Sequence, residues 1–318
     1  MRDIILNFGK QFKRGIEAAE NVGLRGDFKN LVVCGMGGSA WPSEILRDWL
    51  NFDFPFYISK NYNLPSQADE KSLVIISSYS GNTEETLNCY KEAKKRNLKI
   101  IGITTGGKLK EFCQKDKITL VLMPGDIPSP RMGYGYAFSA LATVLKNSGM
   151  IEDKSRELID AGEKINPALM EKDGKMLAEK IAKKIPVIYA SDRIKTLAYI
   201  WKIRFNENAK IPSFYNYFPE LDHNELNAYT KGNENLFVII LKNDKDNPRI
   251  LKRILLTAEI IKSKGIPVEI INLFGENLLE KIFNSISLAD WTSYYLSIKN
   301  GVDPLRVELI ANFKRKLG

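Results

Sequence analysis

Three hydroxyls gathered around one glycine, in Ser78-Tyr79-Ser80-Gly81-Asn82-Thr83-Glu84, could hold a phosphate group. The segment follows the apolar run Leu73-Val74-Ile75-Ile76 and leads into a helical stretch from Glu84 to Arg96. Ser78, Ser80 and Thr83 thus converge where a strand ends and a helix begins. Exposed backbone N–H groups and the positive end of the helix dipole favour an anion there. The lysine of a P-loop is missing and GxxxxGK[ST] occurs nowhere, so a phosphomonoester fits better than a nucleoside triphosphate. A helix cap by Ser80 or Thr83 is the simpler use of such residues, but a cap needs fewer hydroxyls.

A second turn has the same setting. Leu31-Val32-Val33-Cys34 runs into Gly35-Met36-Gly37-Gly38-Ser39-Ala40 and then into a helix. Gly35, Gly37 and Ala40 satisfy the permissive G-x-G-x-x-G/A pattern of dinucleotide folds. That reading also requires an acid about 20 residues on, at the end of the second strand. Here the second strand ends Ser59-Lys60-Asn61, and Asp53 precedes it, at the wrong end of the sheet. A nucleotide-dependent dehydrogenase therefore lacks its second anchor. Gly37, Gly38 and Ser39 instead suit a backbone lying close to a small ligand, with an unoccupied tight turn as the plainer alternative.

Four further residues carry chemistry by type, and each also has an ordinary structural use. His223, in Asp222-His223-Asn224-Glu225, is the only histidine in the chain, and imidazole titrates near neutrality unaided. Glu207 lies between Asn206 and Asn208, three residues after Arg204, where an i,i+3 ion pair worth a few tenths of a kcal/mol would explain it. Arg131 follows Ser129-Pro130 in a Pro/Gly-rich stretch, where a guanidinium could stabilise developing oxyanions or simply be solvated. Lys314 falls between Ile310 and Leu317 on one helical face beside Phe313, where a lysine either extends along the apolar stripe or has a buried role.

The elements that must position these residues alternate along the chain. Apolar runs at 31–34, 56–58, 73–76, 100–103 and 119–122 predict strands, with helices between several of them and a helix over 137–146. In the second half, 187–189, 236–240 and 268–271 read as strands, and 154–184, 194–210, 248–263, 277–299 and 304–317 as helices. Such alternation predicts an α/β fold of mostly parallel sheets flanked by helices, in two domains. The 318 residues agree with two domains of about 150 each, and the polar stretch 148–154 divides them into 1–150 and 151–318.

Composition narrows the class. No run of about 18 apolar residues is present, which argues against a membrane span, and the N-terminus lacks a signal-peptide pattern. Cys34, Cys89 and Cys113 have no metal-ligand spacing, so the expectation is a reducing, cytoplasmic location and no metal. Lys+Arg exceed Asp+Glu by nine (47 − 38), but the charges are interleaved. Without a basic block or aromatic RNA-binding signature, nucleic acid is not the expected partner. A mildly positive surface suits an anionic small molecule.

Taken together, Gly35-Met36-Gly37-Gly38-Ser39 and Ser78-Tyr79-Ser80-Gly81-Asn82-Thr83-Glu84-Glu85 resemble the sugar-isomerase (SIS) family. The resemblance narrows to the bifunctional phosphoglucose/phosphomannose isomerases through Pro130-Arg131, Asn206-Glu207-Asn208, His223-Asn224-Glu225, Gly301-Val302-Asp303-Pro304 and the C-terminal helix. It implies two SIS-type αβα domains and aldose-ketose isomerisation of hexose 6-phosphates through a cis-enediolate, without cofactor or metal. It implies that Gly37, Gly38, Ser39, Ser78, Ser80 and Thr83 bind the phosphorylated substrate. Glu207 would move the proton between C1 and C2, with Arg131 stabilising the enediolate. Lys314 would bind substrate or assist ring opening. His223 would serve ring opening in the neighbouring subunit of a homodimer.

Alternatives remain at this level. A non-catalytic SIS regulator sensing sugar phosphates would need only the two loops. A glucose-specific isomerase is the other, because Leu305-Arg306-Val307 stands where many members of that family carry a threonine. A glucosamine-phosphate-type amidotransferase would need a nucleophilic cysteine and a glutaminase domain ahead of the SIS pair.

Overall fold

A computed structural model describes residues 1–317. Contacts divide the chain into two compact units, one of Asn7–Ile165 and one of Met1–Leu6 together with the chain from Asn166. The short helix α1 (Arg2–Leu6) therefore belongs to the second unit, where Arg2 pairs with Glu171 at 3.1 Å and lies over the Trp291 ring.

In the first unit, β1 (Asn30–Cys34), β2 (Phe56–Ser59), β3 (Ser72–Ser77), β4 (Lys99–Thr104) and β5 (Thr119–Leu122) form a parallel sheet in the order β2-β1-β3-β4-β5. β1 and β3 are buried at every position, which is why they read as unbroken apolar runs and not as alternating ones. On one face Val32, Cys34, Val74 and Ile76 pack with Leu87 and Tyr90 of α4 (Glu84–Lys95) and Leu109 and Cys113 of α5 (Gly107–Lys115). The remaining helices are α2 (Lys10–Ala19), α3 (Trp41–Trp49), α6 (Tyr134–Asn147) and α7 (Ser155–Lys164). Phe12 of α2 meets Phe138 of α6 edge-on, with centroids 6.0 Å apart. Because α7 packs on α2, the unit runs past the polar 148–154 stretch to Ile165.

The second unit holds α8 (Pro167–Ile181), β6 (Ile185–Ser191), α9 (Lys195–Arg204), β7 (Phe214–Phe218), β8 (Leu236–Lys242), α10 (Pro248–Ser263), β9 (Val268–Asn272), α11 (Leu278–Lys299) and α12 (Glu308–Leu317). Its parallel sheet has the order β7-β6-β8-β9.

Four readings of the sequence are corrected here. The helix expected over 154–184 is two helices, broken at Ile165-Asn166 because the residue before Pro167 is driven out of the helical region. β7 was not anticipated. It is an aromatic edge strand bounded by Pro212 and Pro219, without an aliphatic run. The helix expected to Lys210 stops as an α-helix at Arg204 and continues as a π-turn, Phe205–Ala209, closed by Lys210 in the left-handed region at φ 58°. The final helix begins at Glu308 and not at Pro304.

In each sheet the connections depart in opposite directions from one pair of central strands. These are β1 and β3 in the first unit and β6 and β8 in the second. The C-terminal ends of such a pair flank the crevice in which open α/β sheets bind ligands.

Candidate active site

In the first unit the two loops singled out above occupy that crevice position. The glycine turn follows β1 and the hydroxyl loop follows β3. Gly37–Ser39 forms a 3-10 turn, and the buried Ser39 Oγ accepts a hydrogen bond from the Tyr79 backbone N–H at 2.9 Å, tying one loop to the other. Ser78 Oγ donates to Thr83 Oγ1 at 3.0 Å, and the Asn82 N–H reaches Ser80 Oγ at 3.3 Å. Thr83 stands at the N-cap of α4, yet its side chain caps no backbone N–H. The cap explanation therefore fails for Thr83. Gly81 has φ +69°, and a Cβ there would lie 1.8 Å from the Gly106 carbonyl oxygen, so the bend admits glycine alone. Lys60, where a dinucleotide fold would carry an acid, pairs with Glu44 at 2.7 Å.

Arg131 comes to the same end of the sheet. A Cβ on Gly38 would lie 2.8 Å from both the Arg131 backbone nitrogen and the Pro130 carbonyl carbon, so glycine lets the proline-rich loop close onto the glycine turn. Arg131 is buried, which removes the solvated reading, and its guanidinium donates to Ser129 Oγ at 2.8 Å. The loop is glycine-rich but braced. Buried Gln11 donates to the Met132 carbonyl at 2.8 Å and accepts from the Gly135 N–H at 3.1 Å. Tyr79 donates to the Ile127 carbonyl at 2.8 Å, and burial with nearby Asp126 pushes its hydroxyl up to about 12. Gln11 and Tyr79 escaped the sequence reading. Gln11 is 121 residues from the carbonyl it holds, and no local pattern marks such a pair.

In the second unit the π-turn carries Glu207. A π-turn widens one turn of a helix and often occurs at functional sites. Its setting is polar on the buried side. Arg204, fully buried, pairs through Nε with Asp290 of α11 at 2.6 Å, and Asn208 donates to Ser293 Oγ at 3.0 Å. Asn206 donates to the Ile211 carbonyl at 2.9 Å, and Asn300 to the Ala209 carbonyl at 3.0 Å. The chain leaving the turn is thus tied at Ala209 and Ile211. Half-buried Glu207 lines a pocket of about 520 Å³ together with Asn206, Lys210, Val302, Asp303 and Arg306 to Ile310. Asn206-Glu207 and Val302-Asp303, far apart in sequence, share this wall. Asp303 is held below the usual carboxylate range, chiefly because the Leu305 N–H donates to it at 2.8 Å. Lys210 donates to the Glu207 carbonyl. A carboxylate lining a cleft can act as a proton acceptor for a molecule bound there.

Two expected residues lie outside this wall. His223 ends a 3-10 turn, Glu220–His223, and is exposed. Lys314 is also exposed. The apolar stripe that was to enclose it (Ile310, Phe313 and Leu317) is itself open to solvent on α12, a helix with no buried residue. Among the described residues no cluster of histidine, cysteine, aspartate and glutamate suited to a metal ion occurs, and no helix is long and apolar enough to cross a membrane.

The SIS domain family matches residues 29–139, and the bacterial phospho-glucose isomerase C-terminal SIS domain family matches residues 170–317. The two sheets, each ending in a loop-lined crevice, are those of a protein with two SIS domains. The fold is also that of tagatose-6-phosphate ketose/aldose isomerase from Escherichia coli, at a TM-score of 0.71 and 14% identity, covering 96% of this chain and 95% of that one. Among curated relatives, a bifunctional phosphoglucose/phosphomannose isomerase of Caldicellulosiruptor bescii is 36% identical, covering 100% of this chain and 98% of its own. One of Aquifex aeolicus is 34% identical, covering 91% of each. The chain belongs to the family of bifunctional phosphoglucose/phosphomannose isomerases.

Proposed function

We propose that this protein interconverts glucose 6-phosphate and fructose 6-phosphate, with mannose 6-phosphate as a second aldose. The N-terminal SIS domain grips the phosphate through Ser78, Ser80, Thr83 and the Gly37-Gly38-Ser39 turn. The C-terminal SIS domain supplies Glu207, His223 and Lys314. After ring opening, in which His223 and Lys314 take part, Glu207 removes the C2 proton of the aldose. The electron pair forms the C1–C2 double bond of a cis-enediolate, whose oxygens Arg131 stabilises. The C1 carbonyl oxygen takes up the negative charge, and passage of the O2 proton to O1 with return of the abstracted proton to C1 gives the ketose. Removing the C2 proton erases the configuration there, so glucose and mannose 6-phosphates converge on one intermediate.

What supports this most is Glu207 in a pocket wall shared with residues 302–310, within a chain alike over its full length to isomerases of this name. The enzyme acts as a homodimer in which His223 serves the neighbouring site. It works in the cytoplasm, in glycolysis or gluconeogenesis, with Cys34, Cys89 and Cys113 as buried free thiols in a reducing medium.

A coupled assay on glucose 6-phosphate and mannose 6-phosphate, run with and without EDTA, tests the reading. Turnover of both, unchanged by EDTA, is expected. No turnover of either would favour a sugar-phosphate sensor, turnover of glucose 6-phosphate alone a glucose-specific isomerase, and loss on chelation would end the side-chain mechanism. Glu207→Gln is expected to bind fructose 6-phosphate as the parent does, by calorimetry, while turnover disappears.

A further inference from the structure

The turn that carries His223 is held from both sides by carboxylates. Asp222 accepts from Arg253 Nη1 at 2.9 Å and from Thr257 Oγ1 at 2.8 Å, so both of its oxygens are engaged with α10. Glu225 accepts from the Tyr189 hydroxyl at 2.5 Å and from Asn216 Nδ2 at 2.5 Å, so both of its oxygens are engaged with the central strand β6 and the edge strand β7. Asn216 is itself oriented, because its Oδ1 accepts from the Tyr217 N–H at 2.8 Å. The fully buried Tyr189 hydroxyl also meets the Tyr229 hydroxyl, and its ring packs edge-on against buried Phe218, 6.2 Å between centroids. Leu221 is sealed in the same core. Between these anchors His223 and Asn224 stand exposed at the apex.

A loop whose imidazole must meet a substrate needs this kind of support, because a side chain free to wander loses most of the advantage of proximity. Carboxylates with every oxygen committed to fixed donors are poorly suited to proton transfer themselves. We propose that Glu225, gripped by Tyr189 and Asn216, is a positioning residue that fixes the 222–225 turn and thereby aims His223. The assignment rests on the reading of His223 as a ring-opening group. Burial, with Tyr229 and Glu225 alongside, drives the Tyr189 hydroxyl far up from its ordinary value, so it stays protonated and donating throughout the working range.

Because the chain has one histidine, the imidazole carbon–proton signal of the intact protein reports on this turn alone. Glu225→Gln and Tyr189→Phe are expected to increase the fast mobility of that signal. They should lower kcat by roughly tenfold, with KM for glucose 6-phosphate changed less than about twofold. Glu207→Gln should leave the signal as it is. Unaltered mobility in both variants would overturn the proposal, as would lowered kcat without altered mobility, which would mean that Glu225 acts directly. Should Glu225→Gln melt at the assay temperature, Tyr189→Phe decides alone. His223→Ala separates the two ideas. If it retains full turnover, the ring-opening role falls, while the mobility measurement still judges whether Glu225 holds the turn.

Discussion

A methyl group added at Gly38 would meet the Pro130-Arg131 backbone at 2.8 Å, and neither backbone can swing aside as a flexible side chain would. The glycine turn and the arginine loop would have to part. Arg131, held in a buried pocket by Ser129, would move with its loop. Gly38→Ala is expected to lower kcat/KM by about a hundredfold, since a shift near one ångström in a catalytic group has that effect. Steady-state kinetics beside a melting curve would check it, with melting little changed if the damage is local. The reason for Gly38 was not legible in its own neighbourhood. Two adjacent glycines suggest a close approach, but the approaching chain lies 92 residues on (130 − 38).

At the scale of elements, the π-turn and its buried ion pair decide where Glu207 goes. Read along the chain, Arg204 is a surface partner for Glu207 one turn on. In the fold it is fully buried and pairs with Asp290 across α9 and α11. Removing one member of a buried pair leaves an uncompensated charge, so Asp290→Ala is expected to cost about 3–5 kcal/mol in chemical denaturation. Arg204→Met combined with Asp290→Leu should recover most of that loss, since apolar replacement of both charges is often neutral. The strands were legible because buried parallel strands are unbroken apolar runs, as at Leu73–Ile76. β7 was not, because its pattern Phe-Tyr-Asn-Tyr-Phe becomes a strand by pairing with β6 at the sheet edge.

At the scale of the whole molecule, the proposed homodimer makes a prediction that needs no structure of the complex. Glu207→Gln and His223→Ala would each be inactive alone. If His223 serves the neighbouring subunit's site, one variant supplies what the other lacks. Co-refolding equal amounts should then restore about one quarter of parental activity, because half the dimers are mixed and each mixed dimer has one intact site. Activity that stays at the level of the separate variants would mean that each chain uses its own histidine.

The sequence alone determined the two α/β layers and the loops after β1 and β3, because apolar continuity, glycine and hydroxyl content are local properties that act where they are written. Tertiary structure alone decided that Gln11 braces the Arg131 loop. It also decided that Glu207 shares a wall with residues 302–310. Each of these depends on a partner whose nearness is fixed by how strands are ordered and helices packed. One-dimensional spacing does not carry that quantity.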